Sequence, residues 1–296
     1  MAALERKWRS LALARRYAPA MTTAIPAGPD FKTTPGGGAI LVPRWSVPAH
    51  VKACMSTRTG GVSNAPWDSL NLGDHVGDDP EHVQANRERW RQTLGRRPVY
   101  LSQVHGTQNV VLSEDSPDGL QADVCECVEA SVAATIMVAD CMPVLMSDAR
   151  GQWVAAGHAG WRGLAGKQGL GVLEVMVQAA RARGIAAQEL RVWLGPCIGP
   201  TAFEVGDDVR QAFAAQSQEA DACFVSSGRQ GKWLANLSGL ARLRLRQLNV
   251  QVIDGNDGGP GWCTFTQSSV FFSHRRDTPL LGSSGRMAAS IWLDKA

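Results

Sequence analysis

SVAATIMVADCMPVLMSDARGQWVAAGHAGWRG, residues Ser131 to Gly163, contains three apolar runs in close succession, at 132–138, 143–147 and 152–157. Each is five to seven residues long and rich in Val, Ile, Leu, Met and Ala, the length and character of a buried strand. No helical segment fits between them. A doubly wound parallel sheet needs a helix at each crossover, so this stretch argues for mixed sheets in a layered fold. Further runs at 39–44, 51–57, 98–103, 108–112, 190–194, 250–253, 269–273 and 287–293 read the same way.

Helical signals are fewer. Asp79-Pro80 opens a helix that Gly95 closes, with Asp as N-cap and Pro in the first turn. Others are expected at 166–183, ending at Gly184, at 206–215, and at 237–248 behind an Asn236 cap. Strands outnumber helices without regular alternation. The expected architecture is α/β (α+β), a single-domain layered sandwich of mixed β-sheets flanked by helices. No repeat or second linker divides the chain. The Gly-rich run Thr33-Thr-Pro-Gly-Gly-Gly38 separates a flexible extension, 1–38, from one domain, 39–296.

The 296-residue chain has a net charge of +3, but residues 1–20 alone contribute +4. The remainder is close to neutral, which excludes a general nucleic-acid footprint. No window of apolar residues is long enough for a membrane helix, and no secretory leader is visible. With seven cysteines and no such leader, free thiols in a reducing cytoplasm are expected. Nothing in the sequence points to a protein partner.

Several motif matches fail. Gly166-Lys167 is followed by Gln168 where a P-loop needs Ser or Thr. Asp254-Gly-Asn-Asp-Gly-Gly lacks the sixth-position glycine and the acidic twelfth ligand of a calcium loop. The H-x-E and P-C-x-x-C pair of nucleobase deaminases and the G-x-S-x-G elbow are both absent. Cys125 and Cys127 share one face of a strand, but two thiols do not complete a zinc site.

Three segments remain: Ser102-Gln-Val-His105-Gly, Ala139-Asp-Cys141-Met-Pro-Val, and Gly157-His158-Ala-Gly-Trp-Arg-Gly163. Each places His or Cys where a strand gives way to a loop. Two imidazoles and a thiolate make three zinc ligands with a fourth position open, as in catalytic sites. Asp140 and Arg162 stand beside them to hydrogen-bond ligands or hold an anion. Taken alone, the same residues also fit core histidines and a buried inert thiol.

These segments, with Thr57-Arg58-Thr-Gly-Gly61, Asn71-Leu-Gly-Asp-His75-Val-Gly-Asp-Asp79, Leu194-Gly-Pro-Cys-Ile-Gly-Pro200, Phe203-Glu-Val-Gly206, Cys263-Thr264, Arg275-Arg-Asp277 and Gly285-Arg286, resemble the laccase-domain family. That family is also described as polyphenol oxidase, peptidoglycan editing factor, or multifunctional purine nucleoside phosphorylase. The resemblance runs from about Cys54 to Leu293 and implies a layered α/β sandwich. It also implies that His105, Cys141 and His158 bind zinc and form the catalytic centre. The chain departs from the family pattern at Asn236, at His274 where Tyr is common, in a longer 278–284 link, and at Cys125 and Cys127. None of these departures touches the three ligands.

The resemblance implies a purine nucleoside enzyme. It would phosphorolyse adenosine, inosine, guanosine and methylthioadenosine and deaminate adenosine. Its partners would be a nucleoside and phosphate. Arg58, Arg162 and Arg275 are the expected phosphate clamps, because a guanidinium grips phosphate with two parallel donors. Asn71, Gln103 and Asp140 complete the expected substrate contacts. The alternative is a peptidoglycan-editing hydrolase that removes misincorporated L-Ser. Copper polyphenol oxidation is disfavoured. Six histidines without an H-x-H pair are too few for several coppers, and Met142 should point away from Cys141 on a continuing strand.

Overall fold

A computed structural model describes residues 28–34 and 37–294; the basic segment 1–20 lies outside the described residues. Its strands are β1 (Phe31–Thr33), β2 (Ala39–Leu41), β3 (Val51–Ser56), β4 (Arg97–Ser102), β5 (Asn109–Val111), β6 (Leu120–Gln121), β7 (Val124–Cys127), β8 (Val132–Val138), β9 (Met142–Asp148), β10 (Val154–Ala159), β11 (Leu190–Leu194), β12 (Glu204–Gly206), β13 (Phe224–Ser226), β14 (Lys232–Ala235), β15 (Val252–Gly255) and β16 (Met287–Leu293). The α-helices are α1 (Pro80–Leu94), α2 (Trp161–Ala165), α3 (Val172–Ala182), α4 (Asp207–Ala214), α5 (Leu237–Gln247) and α6 (His274–Leu281). No described helix is long and apolar enough to cross a membrane.

The strands form two large mixed sheets, ordered β1-β2-β3-β16-β8-β4-β6 and β15-β11-β9-β10-β7-β5, and a small one, β12-β14-β13. Side chains alternate between faces along each strand, which sorts the three central runs into layers. Ala134, Ile136 and Val138 of β8 face Leu145, Val154 and Ala156 of β9 and β10 across an inter-sheet core. Ala133 and Met137 turn the other way, toward Trp90 and Leu94 of α1. Met142, Val144, Met146 and Ala155 meet Leu173 and Met176 of α3 and Leu240 of α5. The result is a helix–sheet–sheet–helix sandwich. Both faces of the central strands are covered, so they read as continuous apolar runs.

Caps set the helix ends where expected. Asp79 accepts from the Glu81 amide at 2.9 Å, and Gly95 ends α1 in the left-handed region at φ 65°. The Asn236 side chain accepts from the Gly239 amide at 2.9 Å to start α5. The expected helix at 166–183 is shorter. Gly166 (φ 67°) closes α2, Lys167 and Leu170 pair across a tight turn, and helix resumes at Val172, where Glu174 accepts from the Gly171 amide at 2.8 Å. The expected strand at 269–273 is instead a buried loop, in which the Val270 and Phe271 amides turn back onto the Gln267 carbonyl. Upstream of the Gly-rich run, Phe31–Thr33 pair antiparallel with Ala39–Leu41, so the sheet reaches further toward the N-terminus than residue 39.

One topological feature positions the site. The chain steps from the first large sheet to the second three times at the same end of the sandwich: after β4 through 103–108, after β6 through Ala122-Asp123, and after β8 through Ala139-Asp140-Cys141.

Candidate functional site

His105 and Cys141 sit in two of these crossings, and His158 lies near the end of β10, which pairs beside them in the second sheet. The ligand atoms of the three side chains all lie within 4.8 Å of one another. His105 Nε2 is 3.7 Å from Cys141 Sγ, and the two imidazole rings meet edge to face at 4.8 Å between centroids. Among the described residues this is the one His/Cys/Asp/Glu group with metal-holding geometry.

Asp123, from the remaining crossing, organises the cluster. Its Oδ1 lies 2.8 Å from His158 Nδ1 and accepts from the His105 amide at 3.0 Å. Its Oδ2 accepts from the amides of Val104 at 3.2 Å and Gly106 at 2.6 Å. Three consecutive amides cradling one carboxylate make an anion nest, which holds His105 at φ 59°, an uncommon value for a non-glycine. A carboxylate at Nδ1 makes that nitrogen the donor and leaves the His158 Nε2 lone pair for a metal. Burial is the largest influence on the Asp123 carboxyl and tends to raise it, but the hydrogen bond and charge of His158 together with the Gly106 and Val104 amides outweigh it and hold the group below the ordinary value.

Close packing completes the cluster. A methyl group on Gly160 would lie 2.8 Å from Cys141 Sγ and 2.9 Å from His105 Cδ2. Burial opposes ionisation of Cys141, yet His158 and His105 bring the thiol down to about 6. A thiolate and two imidazoles, one braced by a carboxylate, can hold a metal ion.

The cluster lies in a cavity of about 490 Å³, within the ~300–1,000 Å³ range of small-molecule sites. Four of the six histidines line it, His75 and His274 as well as the two in the cluster. Met137, Phe203 and Leu237 supply apolar wall, and Arg162, Arg275 and Arg286 supply charge.

The other sequence-predicted residues divide. Arg162 lines the cavity with its guanidinium 4.4 Å above the Trp161 ring, and Arg275 lines it while donating to the Glu204 carbonyl at 2.9 Å. Gln103 and Asp140 also line it, but as braces. The Gln103 amide pairs with both backbone groups of Met137 at 2.8 Å. Asp140 accepts from Thr264 at 2.6 Å, Ser273 at 3.0 Å and the Arg275 amide at 2.7 Å. Arg58 is elsewhere, in an open depression with Asp68, bound to the carbonyls of Asp68 and Ser268 and stacked on Phe272. Asn71 is fully buried behind the wall, where its Oδ1 accepts from the amides of Gly73 and Arg286. Met142 packs in the helix-side core while Cys141 packs against the inter-sheet core, so no thioether faces the cluster from that position. Cys125 and Cys127 are buried between the sheets, with Cys125 pushed up to about 12 by burial.

Asp123 and Arg286 were not singled out as site residues from sequence. An Asp in a short turn has no distinguishing pattern. Arg286 was visible only as the end of the Gly285-Arg286 motif.

Residues 52–294 match the family described as multi-copper polyphenol oxidoreductase laccase. A purine nucleoside phosphorylase of Pseudomonas aeruginosa is 48% identical over 255 residues, covering 86% of this chain and 98% of that protein. One from Escherichia coli K12 is 44% identical over 256 residues, with 86% and 98% covered. The crystal structure of a Neisseria meningitidis protein superposes with a TM-score of 0.76 at 43% identity, covering 86% of this chain and 99% of that one. YlmD of Geobacillus stearothermophilus gives 0.76 at 28% identity, covering 94% and 100%.

Proposed function

The chain belongs to the multi-copper polyphenol oxidoreductase laccase family, and from that premise we propose that it is a purine nucleoside phosphorylase with zinc as its metal. The phosphorylase names of relatives 40–48% identical to it support the reading. The observation that carries it is one cavity combining the His105–Cys141–His158 cluster with guanidinium groups that have no carboxylate partner among the described residues.

His105, Cys141 and His158 would hold the zinc. One thiolate and two nitrogens suit it, and Asp123 provides the bracing that zinc-binding histidines ordinarily have. When bound, the ion would supply Lewis-acid chemistry beside the cluster. The arginines neutralise an anionic co-substrate, and the apolar surface of Phe203, Met137 and Leu237 receives a flat base and excludes water from the glycosidic bond. Asp140 and Gln103 do not react; they keep the β8–β9 crossing and the β4 end in place. The finer expectations of several purine nucleosides and adenosine deamination rest on this same cavity.

The test is incubation of purified, zinc-loaded protein with adenosine, inosine, guanosine and methylthioadenosine, with and without phosphate. Free base and the sugar 1-phosphate should form only with phosphate, and adenosine should also release ammonia. No base and no sugar phosphate from any nucleoside would end the phosphorylase reading. Release of L-Ser from a muropeptide by the same preparation would point to cell-wall editing instead.

A further inference from the structure

Two histidines of the cavity lie outside the metal cluster, His75 and His274. They differ in how firmly they are held. His75 Nδ1 is 3.4 Å from Asp74 Oδ1, and both side chains are more than half exposed. His274 opens α6 between two anchored neighbours. Asp140 Oδ2 accepts from the Ser273 hydroxyl at 3.0 Å and from the Arg275 amide at 2.7 Å, and the Ser273 amide donates to Asp277 Oδ2 at 3.0 Å. Asp140 directly precedes Cys141 and holds φ 83°, a backbone uncommon for a non-glycine residue. One carboxylate thus grips the residues on both sides of His274 and sits next to a cluster thiol. It ties the place of the imidazole to that of the cluster.

The ring is oriented as well. His274 Nδ1 is 2.9 Å from Thr278 Oγ1, and among the described residues Nε2 has no protein partner. An imidazolium donates from both nitrogens, so Nδ1 serves Thr278 and the Nε2 proton is left for the cavity. Other lining groups are spent. The cluster side chains hold the metal, arginines keep their protons, Gln103 is bound to Met137, and three donors fill the Asp140 oxygens. The charged and titratable groups facing His274 are Arg275 on its own helix, Arg286 before β16, Asp140 beside Cys141, and His105 of the β4–β5 crossing. Partial desolvation, and next the Arg286 charge, hold the imidazole below its ordinary value, so it releases a proton readily. The side chain keeps enough exposure to recover one from solvent.

We propose that His274 is the general acid of the cavity, passing its Nε2 proton to N7 of the departing purine, with Asp140 as the residue that positions it. This rests on the phosphorylase reading and names the group that carries the proton. A phosphate oxygen bonds to C1′ as the C1′–N9 bond breaks. The electron pair of that bond enters the purine ring, and N7 takes the proton. The neutral imidazole regains a proton from the P–OH of the new sugar phosphate, so the net proton moves from hydrogenphosphate to purine.

The experiment compares zinc-loaded wild type, His274→Gln, His274→Tyr and His75→Gln on inosine and 7-methylguanosine, each with phosphate. The N7 methyl of the second nucleoside already brings the positive charge that a proton would, so its base leaves without an acid. His274→Gln should lower kcat on inosine about 100-fold or more, the worth of a positioned acid. Its kcat on 7-methylguanosine, inosine KM, zinc content and circular dichroism should stay near wild type. Wild-type kcat on inosine should fall as pH rises through the lowered imidazole value. His274→Tyr should hold its own rate level to higher pH, because a phenol keeps its proton longer. Equal losses on both nucleosides would make His274 structural and overturn the proposal. So would an unchanged inosine kcat in His274→Gln, or a selective inosine loss in His75→Gln alone. In those outcomes the phosphorylase reading stands, because the wild type still cleaves nucleosides. A wild type that cleaves neither nucleoside ends that reading, and the acid role with it.

Discussion

Without metal, Cys141 and His158 form a coupled acid and base. Burial opposes charge on both. His158 and His105 nevertheless lower the thiol to about 6, and the thiolate with Asp123 raises His158 to about 9. A thiolate–imidazolium pair therefore exists between those values. Its stabilisation fades as pH falls through about 6, where the thiol takes up a proton, and as pH rises through about 9, where the imidazole loses one. In metal-stripped protein, alkylation of Cys141 by iodoacetamide should rise with a midpoint near 6, read by mass spectrometry at that residue. His158→Ala should shift the midpoint upward; an unchanged midpoint would refute the pairing. Asp123→Asn keeps the shape but removes the charge that braces His158, so metal affinity should fall about 10- to 100-fold in a chelator competition. At this scale the cluster was legible because His and Cys at strand ends are scarce and chemically pointed. Arg58 and Asn71 lie outside the cavity lining, a placement the sequence could not give because a polar side chain in a glycine-rich motif looks the same whether it meets a substrate or a backbone carbonyl. Here both spend their polar atoms on their own chain.

At the level of elements, legibility followed length and capping. The helix from Asp79 to Gly95 and the one behind Asn236 carry their boundaries in side-chain chemistry, and the long apolar strands carry theirs in periodicity. The strands Glu204–Gly206 and Phe224–Ser226 are three residues long, too short to show a period, and escaped notice. The buried loop before α6 was mistaken for a strand because Phe271 and Phe272 are core residues without ladder partners. The start of α2 makes the most exposed demand on sequence. Gly160→Ala would push a methyl against Cys141 and His105. Overpacking of this kind costs about 1–3 kcal/mol, which a domain of this size tolerates. The expected outcome is a folded protein by circular dichroism with little bound metal by elemental analysis; full occupancy would show that the cluster has room to spare.

For the whole molecule, layering was readable and connectivity was not. Runs apolar on both faces announce strands covered on both sides, yet no local pattern says which sheet a strand joins. β8 and β9 are neighbours in sequence and belong to different sheets. Near residue 38, Gly37 and Gly38 bond to Thr34 between β1 and β2, a pairing that no local pattern announces. A chain beginning at Gly28 should therefore melt higher than one beginning at Ala39, which leaves β2 as an unpaired edge. Equal melting temperatures by calorimetry would show that β1 adds nothing.

The three crossings at one end of the sandwich bear on how the protein matures. His105, Asp123, Cys141 and His158 come from segments that meet only when β5, β7, β9 and β10 have paired side by side in the second sheet. In a zinc finger, by contrast, ligands close in sequence let the ion drive folding. Here a nascent chain whose second sheet has not yet paired offers no tight binding place. Metal capture becomes a late event in biogenesis, and a retained ion certifies that long-range assembly is complete.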